Sequence, residues 1–338
     1  MVNKELQIGG TLYQFSNGSL SWSFFQWKNQ ARFPFIEGKY LSRKKYTGLD
    51  KRNLINFYIY ISPWLVGFLI LTVYPIIRSF ILVFTDTGFD RVGKFIGLEN
   101  WKYAFTLDPI FLKSFANTLK YVAMYVPSSI VLAFLIALLL SKRIVFLGFF
   151  RTVFYLPYVT AGVATTILMG WIFNYDFGLI NYFLSLVGLP GVKWMNSTSM
   201  AMVTIAIMSL WTIGNNIIIT LAGIQDIPAT YFESAKIDGA SELRCIFSIT
   251  IPLTTPTIYF NLIISTIVAF QIFQQPYILT RGGPLNSTYT ISMHLFRNAF
   301  EFGKLGYSSM LAWCLFIIIM TITLIIQRSS KKWVFYES

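Results

Sequence analysis

The sequence from residue 227 to residue 240 reads Ile-Pro-Ala-Thr-Tyr-Phe-Glu-Ser-Ala-Lys-Ile-Asp-Gly-Ala, a polar stretch between two apolar runs of membrane-spanning length. Pro228 suits the first turn of a helix, because its missing N–H has no partner to lose there. Gly239 readily takes the left-handed conformation that ends a helix. These signals predict a short helix with its own start and stop. A simple connecting loop needs neither signal, so we expect another protein to grip this helix.

The composition indicates the environment of the chain. Hydrophobic residues make up 55% of the sequence, aromatic residues 18% and charged residues only 12%, which is typical of a polytopic membrane protein. We therefore predict an all-α fold with six transmembrane helices in a permease domain over residues 55–327, between an N-terminal segment of residues 1–54 and a tail of residues 328–338. The six apolar runs cover residues 55–84, 121–140, 153–173, 200–221, 258–279 and 307–326.

The charge distribution predicts the orientation in the membrane. A net charge of +13 is compatible with nucleic-acid binding, but the excess follows the predicted spans and forms no compact basic stripe, so we expect no nucleic-acid partner. Lys and Arg minus Asp and Glu give 9 − 3 = +6 for residues 1–54 and 3 − 1 = +2 after residue 327. We expect both termini to be cytoplasmic. The cytoplasmic loop over residues 222–251 breaks this trend at 2 − 4 = −2, which favours a docking role.

Two segments outside the spans leave questions open. Residues 1–50 mix aromatic residues such as Trp22 and Trp27 with basic clusters, and they fit a segment lying on lipid headgroups as well as a partly ordered tail. Gly88 to Lys94 meets the first seven positions of a phosphate-binding loop, but Phe95 follows where Ser or Thr is needed. No other nucleotide motif is visible. If ATP drives this protein, a partner hydrolyses it.

The 228–239 helix continues into a second arm. Ser241 is a good helix-cap residue, and an amphipathic pattern runs from it toward the fifth apolar run, so the two arms form an elbow at Gly239. Within the first arm, Ala235 leaves room for a partner backbone, and Glu233 and Asp238 offer acceptors. The elbow is suited to transmit a push from a cytoplasmic partner into the fifth span.

These residues carry a resemblance to a known family. Glu233-Ser234-Ala235, then Asp238-Gly239-Ala240 and Ile249-Thr250-Ile251-Pro252 resemble the EAA loop of ATP-binding-cassette importer permeases. Thr280-Arg281-Gly282-Gly283-Pro284 resembles the TxGGP signature of the sugar branch, in its first-permease type similar to maltose and glycerol-phosphate permeases. Ser234 departs from the motif alanine at the closest partner contact. The similarity covers about residues 55–327.

The resemblance implies an assembly. It predicts a second, similar permease, two ATPase subunits that bind ATP and Mg²⁺, and an extracellular solute-binding protein, in the cytoplasmic membrane of a bacterium or archaeon. The Glu233 helix would then be the coupling helix, seated in a cleft of one ATPase. The chain itself is expected to be non-catalytic and to bind no cofactor or metal.

Polar side chains in the spans predict where a substrate would bind. On a helical wheel Asn261, Ser265, Gln271 and Gln275 form one stripe of the fifth span, and Ser209, Thr212, Asn216 and Thr220 form another of the fourth. Such residues either contact substrate or hold helices together, and both interpretations stay open. We take Asn216, Asn261, Gln271 and Gln275 as pathway candidates, with Trp211 and Trp313 as flat faces for a sugar ring.

Other classes of function are less well supported. An ion-coupled secondary transporter of a polar solute is the alternative, but it needs ion ligands within the spans, which we do not find. An enzyme is third, since the single histidine, His294, is expected on an outer loop without a carboxylate pair or metal cluster. Apart from the interfacial candidates Arg78 and Lys120, no charged residue lies well inside a span, which favours a neutral, hydroxylated solute such as a sugar or oligosaccharide.

Overall fold

Helices make up most of the described chain. A computed structural model describes residues 5–8, 11–14, 48–90, 92–142, 146–160 and 162–335. The chain forms two compact units, residues 1–65 and residues 66–338. The predicted headgroup-binding segment around Trp22 and Trp27 lies outside the described residues. The all-α expectation is confirmed for the membrane part.

The sequence analysis did not predict a short hairpin near the N-terminus. Strands β1 (Glu5–Ile8) and β2 (Thr11–Gln14) pair antiparallel, with Glu5 opposite Gln14. Each strand brings β-forming residues, and Gly9-Gly10 between them is a common two-residue hairpin sequence.

Fourteen α-helices follow in the described residues. They are α1 (Gly48–Phe68), α2 (Tyr74–Leu82), α3 (Glu99–Thr106), α4 (Phe111–Ser141), α5 (Leu147–Val159), α6 (Gly162–Ile172), α7 (Leu179–Leu186), α8 (Ala201–Ser209), α9 (Gly214–Gln225), α10 (Ala229–Ile237), α11 (Glu242–Cys245), α12 (Ile251–Phe270), α13 (Ile291–Phe296) and α14 (Leu305–Ser330). Short π-helices cover Leu69–Val73, Ile246–Thr250, Pro276–Thr280 and Arg297–Glu301, and a 3₁₀ turn covers Leu210–Thr212.

The number of membrane-spanning candidates agrees with the sequence. In the described part of the chain, four continuous runs are long and apolar enough to cross a membrane: Lys51–Leu82, Phe111–Ser141, Glu242–Phe270 and Leu305–Ser330. Two bent pairs also qualify if each pair counts as one span. The α5–α6 pair bends by 100°, and the pair formed by Ala201–Thr212 and α9 bends by 52°. Counted this way, the structure has up to six spans.

Helix α4 lies at the centre of the bundle and packs against α8, α9 and α12. Its contact with α9 is made by small residues, Ala133 and Ala137, which are almost fully buried against Ile217 and Leu221. Small side chains let two helix backbones approach closely, and such packing drives helix association in lipid. Gly214 has the same role between α9 and α5, because a Cβ there would lie 2.4 Å from the Phe154 carbonyl oxygen.

The fifth span differs from the prediction. The sequence places a helix over residues 258–279, whereas the structure has one helical run from Glu242 to Phe270, followed by a break. Pro276 explains the break, because its ring would clash with the carbonyl of Ile272 in a continuous helix. That carbonyl accepts a hydrogen bond from the Thr290 hydroxyl instead, at 2.9 Å.

The sequence analysis was also wrong about His294. This residue lies in α13, not on an outer loop, and only 5% of it is exposed. Its Nε2 is 2.8 Å from Asp108 Oδ2, and the Tyr307 hydroxyl donates to the same oxygen at 2.6 Å. The Asp108 carboxylate also accepts from the Ile110 N–H at 2.8 Å. Asp108, just before α4, is therefore tied both to α13 and to the first turn of α14.

Burial lowers the pKa of His294 although the nearby Asp108 carboxylate acts in the opposite direction. Burial alone would raise the pKa of Asp108, but the hydrogen bonds from Tyr307, Ile110 and His294 outweigh it and lower that pKa below its usual 3.8. The folded protein therefore favours a neutral imidazole that donates from Nε2 to an ionised carboxylate.

We expect close packing to make Gly214 irreplaceable. Gly214→Ala should lower the melting temperature, because α5 and α9 must separate and overpacking costs about 1–3 kcal/mol. Gly148→Ala is the matched control, since no atom lies within 4 Å of a Cβ at this other helical glycine. Thermal unfolding of both purified variants checks the prediction. Equal melting temperatures for the two would contradict it.

We also expect His294 to make the fold acid-sensitive. A depressed histidine pKa contributes stability that is present above the unfolded value of 6.5 and is lost as pH falls through the folded pKa. Between pH 7.5 and 5.0, wild-type melting temperature should fall more than that of His294→Gln, which cannot titrate. Asp108 stays ionised across this window, so it does not confuse the comparison. An identical fall in both proteins would refute the assignment.

Candidate substrate cavity and coupling helix

The breaks of the fourth and fifth predicted spans line one cavity of about 340 Å³, and Gly162 at the break of the third span lies against the lining residue Gln274. The fourth span breaks at Leu210–Thr212, the fifth breaks between Phe270 and Pro276, and the third breaks between α5 and α6. Irregular backbone is tolerated at membrane depth only where it is buried in protein or lines a wet cavity. The breaks are therefore consistent with a site for a polar solute. The cavity is lined by Tyr121, Tyr125, Ser209, Thr212, Val268, Gln271, Ile272, Phe273, Gln274 and Gln275.

Three glutamines come from the break in the fifth span. Gln271 caps the end of α12, and its amide donates to the Ile267 carbonyl at 3.1 Å. Gln275 precedes the π-helix Pro276–Thr280. Gln274 Nε2 is buried and has no hydrogen-bond partner among the described residues. An unpaired buried donor costs about 1–3 kcal/mol, so a ligand that accepts from it would bind favourably.

The site also depends on a glycine of the third span. A Cβ at Gly162, the first residue of α6, would lie 2.9 Å from Gln274 Oε1 and 3.0 Å from its Nε2. A larger residue there would force the Gln274 amide to move. The sequence analysis missed both residues, because Gln274 was read as part of a continuous helix.

The predicted stripe of four polar residues on the fifth span was wrong. It requires a continuous helix from Asn261 to Gln275, but α12 ends at Phe270. Asn261 and Ser265 instead lie on the intact helix and are buried. Of the four stripe residues, Gln271 and Gln275 line the cavity.

Asn216 and Asn261 hold the fourth and fifth spans together. The Asn216 amide donates to Ser265 Oγ at 2.8 Å, and the Asn261 amide donates to Thr220 Oγ1 at 2.9 Å and to the Asn216 carbonyl at 3.1 Å. Both asparagines are less than a tenth exposed. In this structure these two pathway candidates pack helices, which was the second of the two interpretations that the sequence left open.

Neither tryptophan candidate lines the cavity among the described residues. Trp211 is half-exposed in the bend of the fourth span. The Trp313 indole N–H donates to Ser79 Oγ at 3.2 Å, and its ring packs edge-on against Phe80. The aromatic surface comes from Tyr121 and Tyr125. Their ring centroids are 5.4 Å apart, and their ring planes are inclined by 7°. Their i, i+4 spacing in the second apolar run was the available sequence signal.

The predicted TxGGP signature, Thr280 to Pro284, folds back on the start of α4. Gly282 has a φ of +87°, and a Cβ there would lie 2.6 Å from the Tyr289 ring. The Thr288 hydroxyl closes the loop by donating to the Gly283 carbonyl, next to Pro284, at 2.9 Å. Two polar residues of α4 bind the backbone that follows Pro284, a role that the sequence pattern did not reveal. Lys113 Nζ donates to the Leu285 carbonyl at 2.6 Å, and the Asn117 amide donates to the Asn286 and Tyr289 carbonyls at 2.7 and 3.0 Å.

At the other end of the bundle, the predicted short helix is present as α10. Pro228 is its N-cap, and Gly239 follows its end with a φ of +74°. Ser241 caps α11, where its hydroxyl accepts from the Arg244 N–H at 3.3 Å. From Glu242 the chain is helical without interruption to Phe270. The elbow and the continuous second arm agree with the geometry predicted from sequence.

The surface of α10 is largely open. No residue in this helix is buried, and Ile237 is 88% exposed. Glu233, Ser234 and Asp238 are also exposed. Ala235 and Ala240 are only half-buried, and their backbones are joined by a 2.9 Å hydrogen bond from the Ala240 N–H to the Ala235 carbonyl.

Three contacts connect the elbow and the adjoining part of the fifth span to neighbouring segments. Lys142, which follows α4, forms an exposed ion pair with Glu242 at 2.9 Å. The C-terminal segment reaches α12, where the Phe335 N–H donates to Thr255 Oγ1 at 2.9 Å and Trp333 packs edge-on against Tyr259. The ion pair thus links the elbow to the end of the second span, and the tail after the sixth span contacts the fifth.

The glycine-rich segment over residues 88–94 lacks the context of a phosphate-binding loop. Thr85 and Phe95 pair across its base, and the next helix, α3, begins only at Glu99. A phosphate-binding loop leads directly into a helix N-terminus. In the described residues, no group of three His, Cys, Asp or Glu side chains is placed to hold a metal ion.

Comparison with known proteins identifies the family. Residues 109–335 match the family described as binding-protein-dependent transport system inner membrane component. The chain is 40% identical to the probable ABC transporter permease protein YesP of Bacillus subtilis, over 87% of this chain and 96% of that protein. It is 32% identical to the sulfoquinovosyl glycerol transport system permease protein SmoG of Agrobacterium fabrum, over 83% and 92%.

A solved structure shares the fold. A bacterial alginate ABC transporter, crystallised in complex with an alginate pentasaccharide-bound periplasmic protein, aligns with a TM-score of 0.70 and 22% identity over 83% of this chain and 96% of that chain. The chain thus combines bent spans at a polar cavity with an exposed helix at one end of the bundle. Its sequence matches one family over most of its length. The protein belongs to the inner membrane components of binding-protein-dependent transport systems, as an ABC transporter permease.

Proposed function

We propose that this permease forms the passage for a sugar or oligosaccharide in an ATP-driven importer. The observation that carries the proposal is the uncharged cavity at the breaks of the fourth and fifth spans. Its amides and hydroxyls match the donors and acceptors of sugar hydroxyls, and its stacked tyrosines offer an apolar ring face. SmoG is named for the transport of sulfoquinovosyl glycerol, and the solved transporter is named for alginate. Both names support a carbohydrate as the cargo.

The coupling step follows from the elbow at Gly239. The exposed helix α10 seats in a cleft of an ATPase subunit, with Glu233, Ser234 and Asp238 on its open surface. Because Glu242 to Phe270 is one helical run, movement of α10 is carried directly to the cavity, where Gln271 follows the last helical residue. ATP and Mg²⁺ are held by the ATPase subunits, and this chain contributes no catalytic residue.

The remaining parts of the assembly are proposed from the resemblance and the charge pattern. The partners are a second permease, two ATPase subunits and an extracellular solute-binding protein. Both termini face the cytoplasm, where the basic excess of residues 1–54 and of the tail after residue 327 favours them. Residues 55–327 form the permease domain, and the Thr280 to Pro284 loop lies on the outer side.

Reconstitution tests this function. The complete complex in vesicles should take up sugar only with ATP and loaded binding protein, and its ATP hydrolysis should need this chain. Uptake by the isolated chain under an ion gradient would support a secondary transporter instead. Binding assays on the solute-binding protein then identify the sugar.

The two groups of amide side chains should respond differently to mutation. Gln274→Leu and Gln275→Leu remove donors from the cavity, so uptake per ATP hydrolysed at saturating loaded binding protein should fall on the order of tenfold, with an unchanged melting temperature. Asn261→Leu is the matched control in the packing network and should lower the melting temperature, since such a bond is worth roughly 0.6–1.7 kcal/mol in lipid. Stability loss in the glutamine variants with normal transport would reverse the assignment.

The elbow should depend on the backbone conformation of Gly239. No atom lies within 4 Å of a Cβ there, so a substitution acts through the left-handed φ and not through a clash. Gly239→Val should uncouple ATP hydrolysis from uptake, because non-glycine residues pay about 1–2 kcal/mol in this region. Gly239→Asn should keep most of the activity, because asparagine tolerates the conformation. Membrane insertion should be normal in both, and wild-type uptake by the valine variant would contradict this role.

A further inference from the structure

Helix α7 turns an apolar face outward. On a wheel of 100° per residue, Leu179, Tyr182, Phe183 and Leu186 fall within about 100° of arc, and each is more than half exposed. A surface helix in water shows the opposite arrangement, with its polar side turned out. This face is therefore suited to a non-aqueous environment.

The other face of α7 is fixed to the protein. Ile180 packs against the buried cluster of Met169, Phe173 and Met208. The Asn181 amide donates to the Tyr175 and Val192 carbonyls at 2.9 and 3.1 Å. Its carbonyl oxygen accepts from the Trp194 indole N–H at 2.8 Å and from the Val192 N–H at 3.1 Å. These contacts hold the helix in one orientation, so the exposed apolar face is part of the folded structure.

The apolar surface extends beyond both ends of the helix. Phe177 is 71% exposed before it, and Val187 and Leu189 are 72% and 54% exposed after it. The sequence from residue 177 to residue 192 contains no charged side chain. An uncharged patch of this kind on a soluble surface marks an interaction site.

Continuity with a membrane-spanning candidate indicates what covers the patch. Helix α6 belongs to the bent pair that qualifies as a span, and it ends five residues before Phe177. Trp171, next to the end of α6, is 67% exposed. Trp and Tyr are enriched where a span meets the lipid headgroups, so Trp171 and Tyr182 fit the same boundary. Asp176 and Lys193 flank the uncharged stretch on either side.

We propose that α7 lies in the boundary between lipid headgroups and acyl chains, with Leu179, Tyr182, Phe183 and Leu186 immersed in the bilayer. By chain direction, this is the leaflet opposite to α10. The helix then anchors the α6 end of the bent third span at a fixed depth, which holds Gly162 beside the cavity. The role is separate from sugar transport itself, because the cavity lining contains no residue of α7.

Spin labels distinguish lipid from water and from protein. The assembled transporter in vesicles, with Cys245→Ser and Cys314→Ala as background, carries a nitroxide at Phe183 or Leu186, and Lys193 serves as the aqueous control. We expect labels at Phe183 and Leu186 to collide more with oxygen than with a water-soluble nickel complex, and the label at Lys193 to show the reverse. More collisions with nickel at Phe183 would place α7 in water. Low collision rates with both reagents would place it against a protein subunit, and either result overturns the proposal.

Photolabelling of the unmodified transporter provides a second measurement. Because it uses the wild-type protein, its result does not depend on whether a variant folds. A membrane-confined diazirine lipid should label the peptide over residues 177–189 as well as the helix α14. Labelling of α14 without labelling of residues 177–189 would refute the lipid contact, whether or not the complex transports sugar.

Discussion

Hydrocarbon offers no hydrogen-bond partner to a peptide group, and this constraint governs where the chain departs from helix. The third, fourth and fifth spans all break. The fourth and fifth breaks line one cavity, and Gly162 of the third span lies against its lining residue Gln274. Freed backbone groups are satisfied locally, as when the Ile272 carbonyl accepts from Thr290. The intact helices around the breaks are joined by buried amides of Asn216 and Asn261. The polar cavity is thus confined by helices that keep their own hydrogen bonds.

Asparagine side chains satisfy the loops at the end of the bundle opposite to α10. Asn100 donates to the Val83 and Thr85 carbonyls, Asn117 to the Asn286 and Tyr289 carbonyls, and Asn181 to the Tyr175 and Val192 carbonyls. One amide thereby replaces two missing backbone donors at each turn. The buried pair of His294 and Asp108 adds a tie between α13 and the start of α4. This end is built as a rigid frame, whereas α10 at the other end is open.

That contrast is suited to a transport cycle driven from one side. Helix α10 has no buried residue, and a glycine in a left-handed conformation joins it to the long helical run that ends at the cavity. From Glu242 one helical run leads to Phe270, next to Gln271, and the short elbow at Gly239 separates this run from α10. The frame at the opposite end gives that movement a fixed reference. The Lys142–Glu242 pair contributes little at such exposure, so we assign the proposed coupling to the helical run.

The sequence by itself determined the class of fold, the number of spans and the elbow, because apolar run length, Pro228, Gly239 and Ser241 act through local backbone physics. It also indicated the family through residues 233–240 and 280–284. Only the tertiary structure separated the amides into two roles. On a helical wheel Asn261 and Gln275 share one face, but the helix ends at Phe270, before Gln275, because Pro276 prevents its continuation. The tertiary structure was also needed to assign Gly162, Gln274 and the Tyr121–Tyr125 pair to the site. His294 likewise changed from a loop residue into a buried partner of Asp108, because a contact across 186 positions has no signature in local sequence.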